Sequence, residues 1–223
     1  MSKTIITAVD ETDLGSFKKV IDSLDSDLCM LKIGSVSFNA FGHEAVFYAS
    51  KKGFDIFLDL KLHDIPNTVK KSIEGLKSLP INMITLHTSG GIKMMQSAMD
   101  AVKGSKIKIF GVTALTSLSD DDTNQIYQRD ASSQVNAMLD LAEESGIDGV
   151  VCSPHELNLV SKRVGLLSIT PGIRLVSTDD DQSRVMTPKQ AIELGADYLV
   201  IGRPITASDD ISASLKEIYK SIQ

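Results

Sequence analysis

Cysteine is scarce in this chain of 223 residues: Cys29 and Cys152 are the two present, neither forms a CxxC pair, and each sits in an apolar run. Two isolated thiols build no disulfide framework, and their setting points to a reducing compartment, the cytoplasm. Long hydrophobic runs are missing as well. The N-terminal stretch offers only Ile5-Ile6 before an acid arrives at Asp10, which suits neither a signal peptide nor a membrane span. Positive charge is in deficit, with 23 Lys and Arg against 29 Asp and Glu and a net charge of −6. A general nucleic-acid surface is normally basic, so any anion site here must be built locally. No GxGxxG turn follows the first strand-like run, which removes the dinucleotide fingerprint. No linker, low-complexity tract or second domain interrupts the chain.

What is there is alternation. With 42% hydrophobic and 23% charged residues, the chain can bury a large core. Short β-rich runs at 4–9, 28–33, 55–60, 83–87, 106–112, 149–152, 166–170 and 198–201 alternate with amphipathic stretches at 14–24, 43–52, 66–76, 91–102, 132–144, 188–194 and 208–222. Repeated βα units predict a parallel sheet. Eight of them in this length predict a (β/α)8 barrel, α/β in class, as one catalytic domain over 1–223. An open doubly wound sheet is the alternative, and it lacks its glycine-rich turn.

In a barrel, chemistry gathers at the C-terminal ends of the strands, and the polar residues sort themselves there. Asp10 ends the first strand, Lys32 nearly ends the second, Asp59 and Lys61 end the third, and His87 ends the fourth. Thr113, Thr116, Ser117 and Ser119 follow the fifth, Ser153 the sixth, Gly172 and Arg174 the seventh, and Gly202 and Arg203 the eighth. Strand alternation puts Asp59 and Lys61 on one face and Leu60 and Leu62 on the other. Asp64 follows, and Pro66 opens a helix. Two readings of this cluster stand side by side. Asp64 caps the helix and Asp59 with Lys61 is an internal ion pair, or the group does chemistry. Alternating signs keep lysines protonated and aspartates ionised, which makes Lys61 a poor base and a good proton donor, suited to protonating a carbanion. At the opposite end, Gly202 allows close backbone approach to an anion, while Arg203 and Arg174 supply forked donors for phosphate. The polar stretch 175–184 reads as a lid whose Gln182 reaches the ligand, or as a solvated loop carrying the acid run Asp179-Asp180-Asp181.

Together, Asp59-Leu60-Lys61-Leu62-His63-Asp64-Ile65-Pro66-Asn67-Thr68, Leu31-Lys32-Ile33-Gly34, Pro171-Gly172-Ile173-Arg174, Asp181-Gln182, Met186-Thr187-Pro188 and Ile201-Gly202-Arg203-Pro204-Ile205 resemble the orotidine 5′-phosphate decarboxylase family. The likeness runs from Asp10 to the helix after Arg203, in order and placement. It implies decarboxylation of orotidine 5′-monophosphate to uridine 5′-monophosphate, the last step of de novo pyrimidine nucleotide synthesis, without metal or organic cofactor. It implies a homodimer with sites at the barrel mouths across the interface. Lys32, Asp59 and Lys61 would come from one subunit and Asp64 from its partner, with Lys61 donating the proton to C6. Asp10 and Lys32 would address the ribose, with Thr68 contributed by the partner. Thr116, Ser117 and Ser119 would hold the pyrimidine, and Arg174, Gln182, Gly202 and Arg203 the phosphate.

His63 reads as alternating away from Lys61 and packed against helices or the dimer contact, and His87, at a strand end, as a structural hydrogen bond near the site rather than a proton carrier. Met94, Met95 and Met99 recur at helical spacing and read as core or interface. The nearest rival is a metal-assisted sugar-phosphate decarboxylase or aldolase carrying the same Asp-x-Lys-x-x-Asp strand. Lys32 argues against it, because an ammonium repels a divalent cation, and no Cys/His cluster has metal-ligand spacing. A noncatalytic nucleotide-binding barrel is the rival from another class.

Overall fold

A computed structural model of the chain describes residues 3–174 and 186–223. Eight parallel strands close into a barrel in sequential order: β1 Ile5–Val9, β2 Cys29–Gly34, β3 Ile56–Leu62, β4 Met83–His87, β5 Lys108–Val112, β6 Gly149–Val151, β7 Leu167–Thr170 and β8 Tyr198–Ile201. Closure is direct, since β1 pairs with both β2 and β8. The fold is the expected (β/α)8 barrel. Every expected strand is present, and the largest shifts of a boundary are two residues, at the end of β3 (62 against 60) and the start of β5 (108 against 106).

The strands read as near-continuous apolar runs because both of their faces are buried. Ile6, Ala8, Met30, Phe57, Met83, Phe110, Ile169 and Val200 point into the barrel and fill its lower interior. Their neighbours in sequence, such as Ile5, Leu31, Leu58, Ile84 and Ile109, point outward and pack with Phe17, Val46, Ile73, Met95, Leu139 and Leu215 of the surrounding helices. Met94 and Met95 are fully buried in this outer layer and Met99 packs against it, which makes the methionine spacing core. Cys29 and Cys152 are buried and free. Burial pushes both thiols up, Cys29 to about 11, so neither is a ready nucleophile near neutral pH.

All seven expected helices form. The last begins at Ile211 rather than 208 because the Asp210 side chain accepts the Ala213 amide and caps it there. Four helices were not anticipated: Ser35–Phe41, Asp120–Tyr127, Leu157–Val160 and Arg203–Thr206. Each is eight residues or fewer, too short for an apolar stripe to repeat. Ser35–Phe41 is separated from His43–Lys51 by Gly42 at φ +57°, a left-handed turn that glycine adopts without a β-carbon penalty. Among the described residues no helix is long and apolar enough to cross a membrane.

Candidate active site

Following the inward positions up the strands shows how the sequence builds the site. Above Met30 comes Lys32, above Phe57 comes Asp59, and Asp10 stands just past Ala8. The period-2 alternation that buries apolar side chains below thus aims charged ones into the mouth above. The charges form a line of alternating sign. Lys32 Nζ lies 3.2 Å from Asp10 and 3.7 Å from Asp59 Oδ2, and Lys61 Nζ donates to the same Oδ2 at 2.7 Å. Asp59 is only 7% exposed, and its other oxygen accepts from the Thr85 hydroxyl at 2.8 Å. Burial raises the Asp59 carboxyl, but the Lys32 and Lys61 charges and the hydrogen bonds from Lys61 and Thr85 outweigh it. The group is held below the usual carboxylate range and is ionised near neutrality.

Asp59 and Lys61 do meet on one side, with Leu60 and Leu62 packed outward, yet β3 is not regular there. Its register with β4 shifts between Leu58, opposite Ile84, and Leu62, opposite Leu86. Three residues of β3 therefore face the single Thr85, a bulge that re-aims the strand end. Lys61 sits in it at φ +50°, a conformation uncommon for a residue with a β-carbon, and its amide donates to Thr85 Oγ1 at 2.9 Å. Thr85 was missed from sequence. Its signal is a hydroxyl at inward parity in the otherwise apolar run Met83-Ile84-Thr85-Leu86. Gly34 was quoted only within a motif, but a β-carbon there would stand 2.8 Å from Lys32 Nζ and 3.1 Å from Asp10 Oδ1. No local pattern announces that crowding.

The charged line is one wall of a cavity of about 300 Å³. Val112, Ala114, Val151 and Ile169 form an apolar wall across from it, Leu115 and Thr116 follow from the loop after β5, and Gly172, Arg174, Gly202 and Arg203 line it from the loops after β7 and β8. Arg174 is 8% exposed and donates to the Ile173 carbonyl at 3.1 Å. A β-carbon on Gly202 would meet only ordinary contact with Ala8, so space alone does not require glycine there, but its backbone, at φ −104° and ψ −103°, lies outside the regions open to a residue with a β-carbon. The open space is what a ligand group would use.

Some expected residues lie away from this cavity. Ser119 accepts the Asp122 amide as the N-cap of Asp120–Tyr127 and donates to the Asp122 carboxylate, a capping box. Ser117 is exposed and outside the cavity lining. Asp64 and Thr68 are exposed on the outer surface beside Ile65, itself 67% exposed. Asp64 does not cap the helix Pro66–Leu76, whose N-cap is Ile65; its carboxylate accepts the Ile65 amide at 2.6 Å. Among the described residues it makes no ion pair. Gln182 and the lid expected at 175–184 lie outside the described residues. The His63 and His87 rings stack with centroids 5.2 Å apart. Burial, then His63 and Lys61, hold the His87 imidazole below its ordinary range against the pull of Asp59.

A closed parallel barrel whose charged line, apolar wall and paired arginines meet at the C-terminal mouth defines a (β/α)8-barrel protein with its candidate active site at the usual end of the fold. The sequence profile of the "Orotidine 5'-phosphate decarboxylase / HUMPS family" matches residues 3–218, and the chain belongs to that family. It is 45% identical over 221 residues to the orotidine 5′-phosphate decarboxylase of Wolbachia pipientis subsp. Culex pipiens, covering 98% of each chain. It is 44% identical over 229 residues to that of Shewanella sediminis, covering 99% of this chain and 97% of the other. The crystal structure of the orotidine 5′-phosphate decarboxylase from Lactobacillus acidophilus superposes with a TM-score of 0.87 at 34% identity, over 100% of both chains.

Proposed function

We propose that the protein decarboxylates orotidine 5′-monophosphate to uridine 5′-monophosphate and carbon dioxide, in the cytoplasm, as a homodimer of single-domain subunits, with no metal or organic cofactor. One observation carries the reading: an Asp10–Lys32–Asp59–Lys61 line that shares one cavity with Arg174 and Arg203. A nucleoside phosphate with an acidic base matches that pairing. Arg203, Arg174 and Gly202 would hold the phosphate, with Gln182; Asp10 and Lys32 would address the ribose; Thr116 would face the pyrimidine. The C6–carboxylate bond breaks, carbon dioxide leaves, and the electron pair stays on C6. Lys61 stabilises that carbanion and gives it a proton from Nζ. Asp59 keeps Lys61 charged and aimed, and it would lie near the substrate carboxylate. The partner subunit's Asp64 would complete the network and the partner subunit's Thr68 the ribose contacts; the exposure of Asp64, Ile65 and Thr68 leaves them open to a second copy.

Phosphate binding far from C6 helps the chemical step by closing the site and excluding water from the charged line. The relatives' names support the decarboxylase, and so does Lys32, whose ammonium occupies the gap between the carboxylates that a divalent cation would need. The test is ultraviolet absorbance of orotidine 5′-monophosphate with purified protein in excess chelator. Conversion that is lost in Lys61→Ala is expected; binding of uridine 5′-monophosphate without turnover, or turnover abolished by chelator, refutes the proposal.

A further inference from the structure

We infer that Thr85 is a positioning residue for this reaction: one hydroxyl fixes the backbone of Lys61 and the carboxylate of Asp59 together, setting where the Lys61 ammonium stands. The inference rests on the decarboxylase reading, which assigns Lys61 the proton transfer. Thr85 is fully buried and does not line the cavity, so it acts only through its two neighbours.

A hydroxyl has one proton and two lone pairs. Here the proton goes to Asp59 Oδ1 at 2.8 Å, and a lone pair receives the Lys61 amide at 2.9 Å. Asp59 Oδ2 accepts from Lys61 Nζ at 2.7 Å. The three contacts close a ring running through the main chain and side chain of Lys61, with Thr85 and Asp59 as its other members. The ring encloses the bulge, where Asp59 to Lys61 stand opposite Thr85 alone and Lys61 holds φ +50°. A left-handed conformation at a lysine persists only where its surroundings impose it. Thr85 is the partner from the neighbouring strand that does so. Without the hydroxyl, the Lys61 amide and Asp59 Oδ1 both lose a partner in a buried site, and the bulge is free to relax. Arg174 and Arg203 are untouched, so the loss falls on the chemical step rather than on phosphate binding.

The test compares Thr85→Val, which keeps the shape and removes the hydroxyl, with Thr85→Ser, which keeps the hydroxyl. Thr85→Val is expected to lose about 10- to 100-fold in kcat with KM within about threefold of the parent, while Thr85→Ser stays within about threefold in both. The acid limb of the Thr85→Val rate profile should move to higher pH, because Asp59 has lost a donor to its ionised form. Parent-like kcat in Thr85→Val, or an equal loss in Thr85→Ser, overturns the inference. If Thr85→Val does not fold, Thr85→Ala against Thr85→Ser makes the same comparison. If the parent does not turn over orotidine 5′-monophosphate, the decarboxylase reading fails instead. Crystal structures of parent and Thr85→Val then decide the positioning role, which unchanged Lys61 φ and an unchanged Asp59–Lys61 contact would overturn.

Discussion

At Gly34 the missing side chain is what lets Lys32 reach between Asp10 and Asp59. A β-carbon 2.8 Å from the amine would push it off that line, and displacements of about 1 Å near reacting groups cost on the order of 100-fold in rate. Gly34→Ala is therefore expected to lose about 10- to 100-fold in turnover while keeping the parent's far-ultraviolet circular dichroism. Lys32 also acts through charge. Burial raises the Asp59 carboxyl, and Lys32 is the largest influence lowering it. A depressed carboxylate contributes stability that is present above its unfolded value of about 4 and lost as pH falls through its folded value. Removing Lys32 shrinks that contribution and lifts the folded value. In Lys32→Ala the acid limb of the pH–rate profile should move to higher pH, and thermal stability near pH 7 should fall toward its value in acid, because the contribution that shrinks is the one present at neutral pH. An acid limb that stays in place would mean Lys61 alone keeps Asp59 ionised. The crowding at Gly34 is not visible in the sequence, where it is one of 15 glycines, whereas the charge role of Lys32 follows there from the alternating signs at the strand ends.

At the scale of elements, the loop after β5 shows how one residue type serves two ends. Thr116, Ser117 and Ser119 look equivalent as candidate ligands in the sequence, yet only Thr116 edges the cavity, while Ser119 caps Asp120–Tyr127. That helix is largely polar and buries only Thr123, so its cap matters more than its packing. Ser119→Ala should cost about 1 kcal/mol, which for a chain of this size lowers the melting midpoint by about 2–4 °C, measurable by calorimetry. A midpoint unchanged from the parent would return the Ser119 hydroxyl to the ligand. The β3–β4 pair carries the opposite lesson. Alternation correctly put Asp59 and Lys61 on one side, because local periodicity decides which way a strand residue points. The bulge that sets their separation depends on what β4 presents across the ladder, and Thr85 is 24 residues away from Lys61.

For the whole molecule, the barrel brings strand ends from the full length of the chain to one mouth, and the run Asp64-Ile65 just after β3 is exposed. If the partner subunit's Asp64 completes each site, a mixture of Lys61→Ala and Asp64→Ala proteins contains one intact site per mixed dimer. Two inactive variants should then regain activity on mixing, up to about half of the mixed dimers' parental sites; silence after demonstrated subunit exchange would place Asp64 within its own protomer. The order of the eight strands and of seven of the helices, the (β/α)8 class and the sorting of charges to the C-terminal strand ends were determined by sequence alone, since each follows from periodicity, propensity and short-range spacing. The tertiary structure decided which of those charges touch. It set the alternating line through Asp10, Lys32, Asp59 and Lys61, the crowding at Gly34, the bulge over Thr85 and the diversion of Ser119 to a helix cap. Each of these is a contact with a partner on another element, or a choice between partners, and a residue's own neighbourhood in sequence carries no record of which side chain the closed barrel will bring against it.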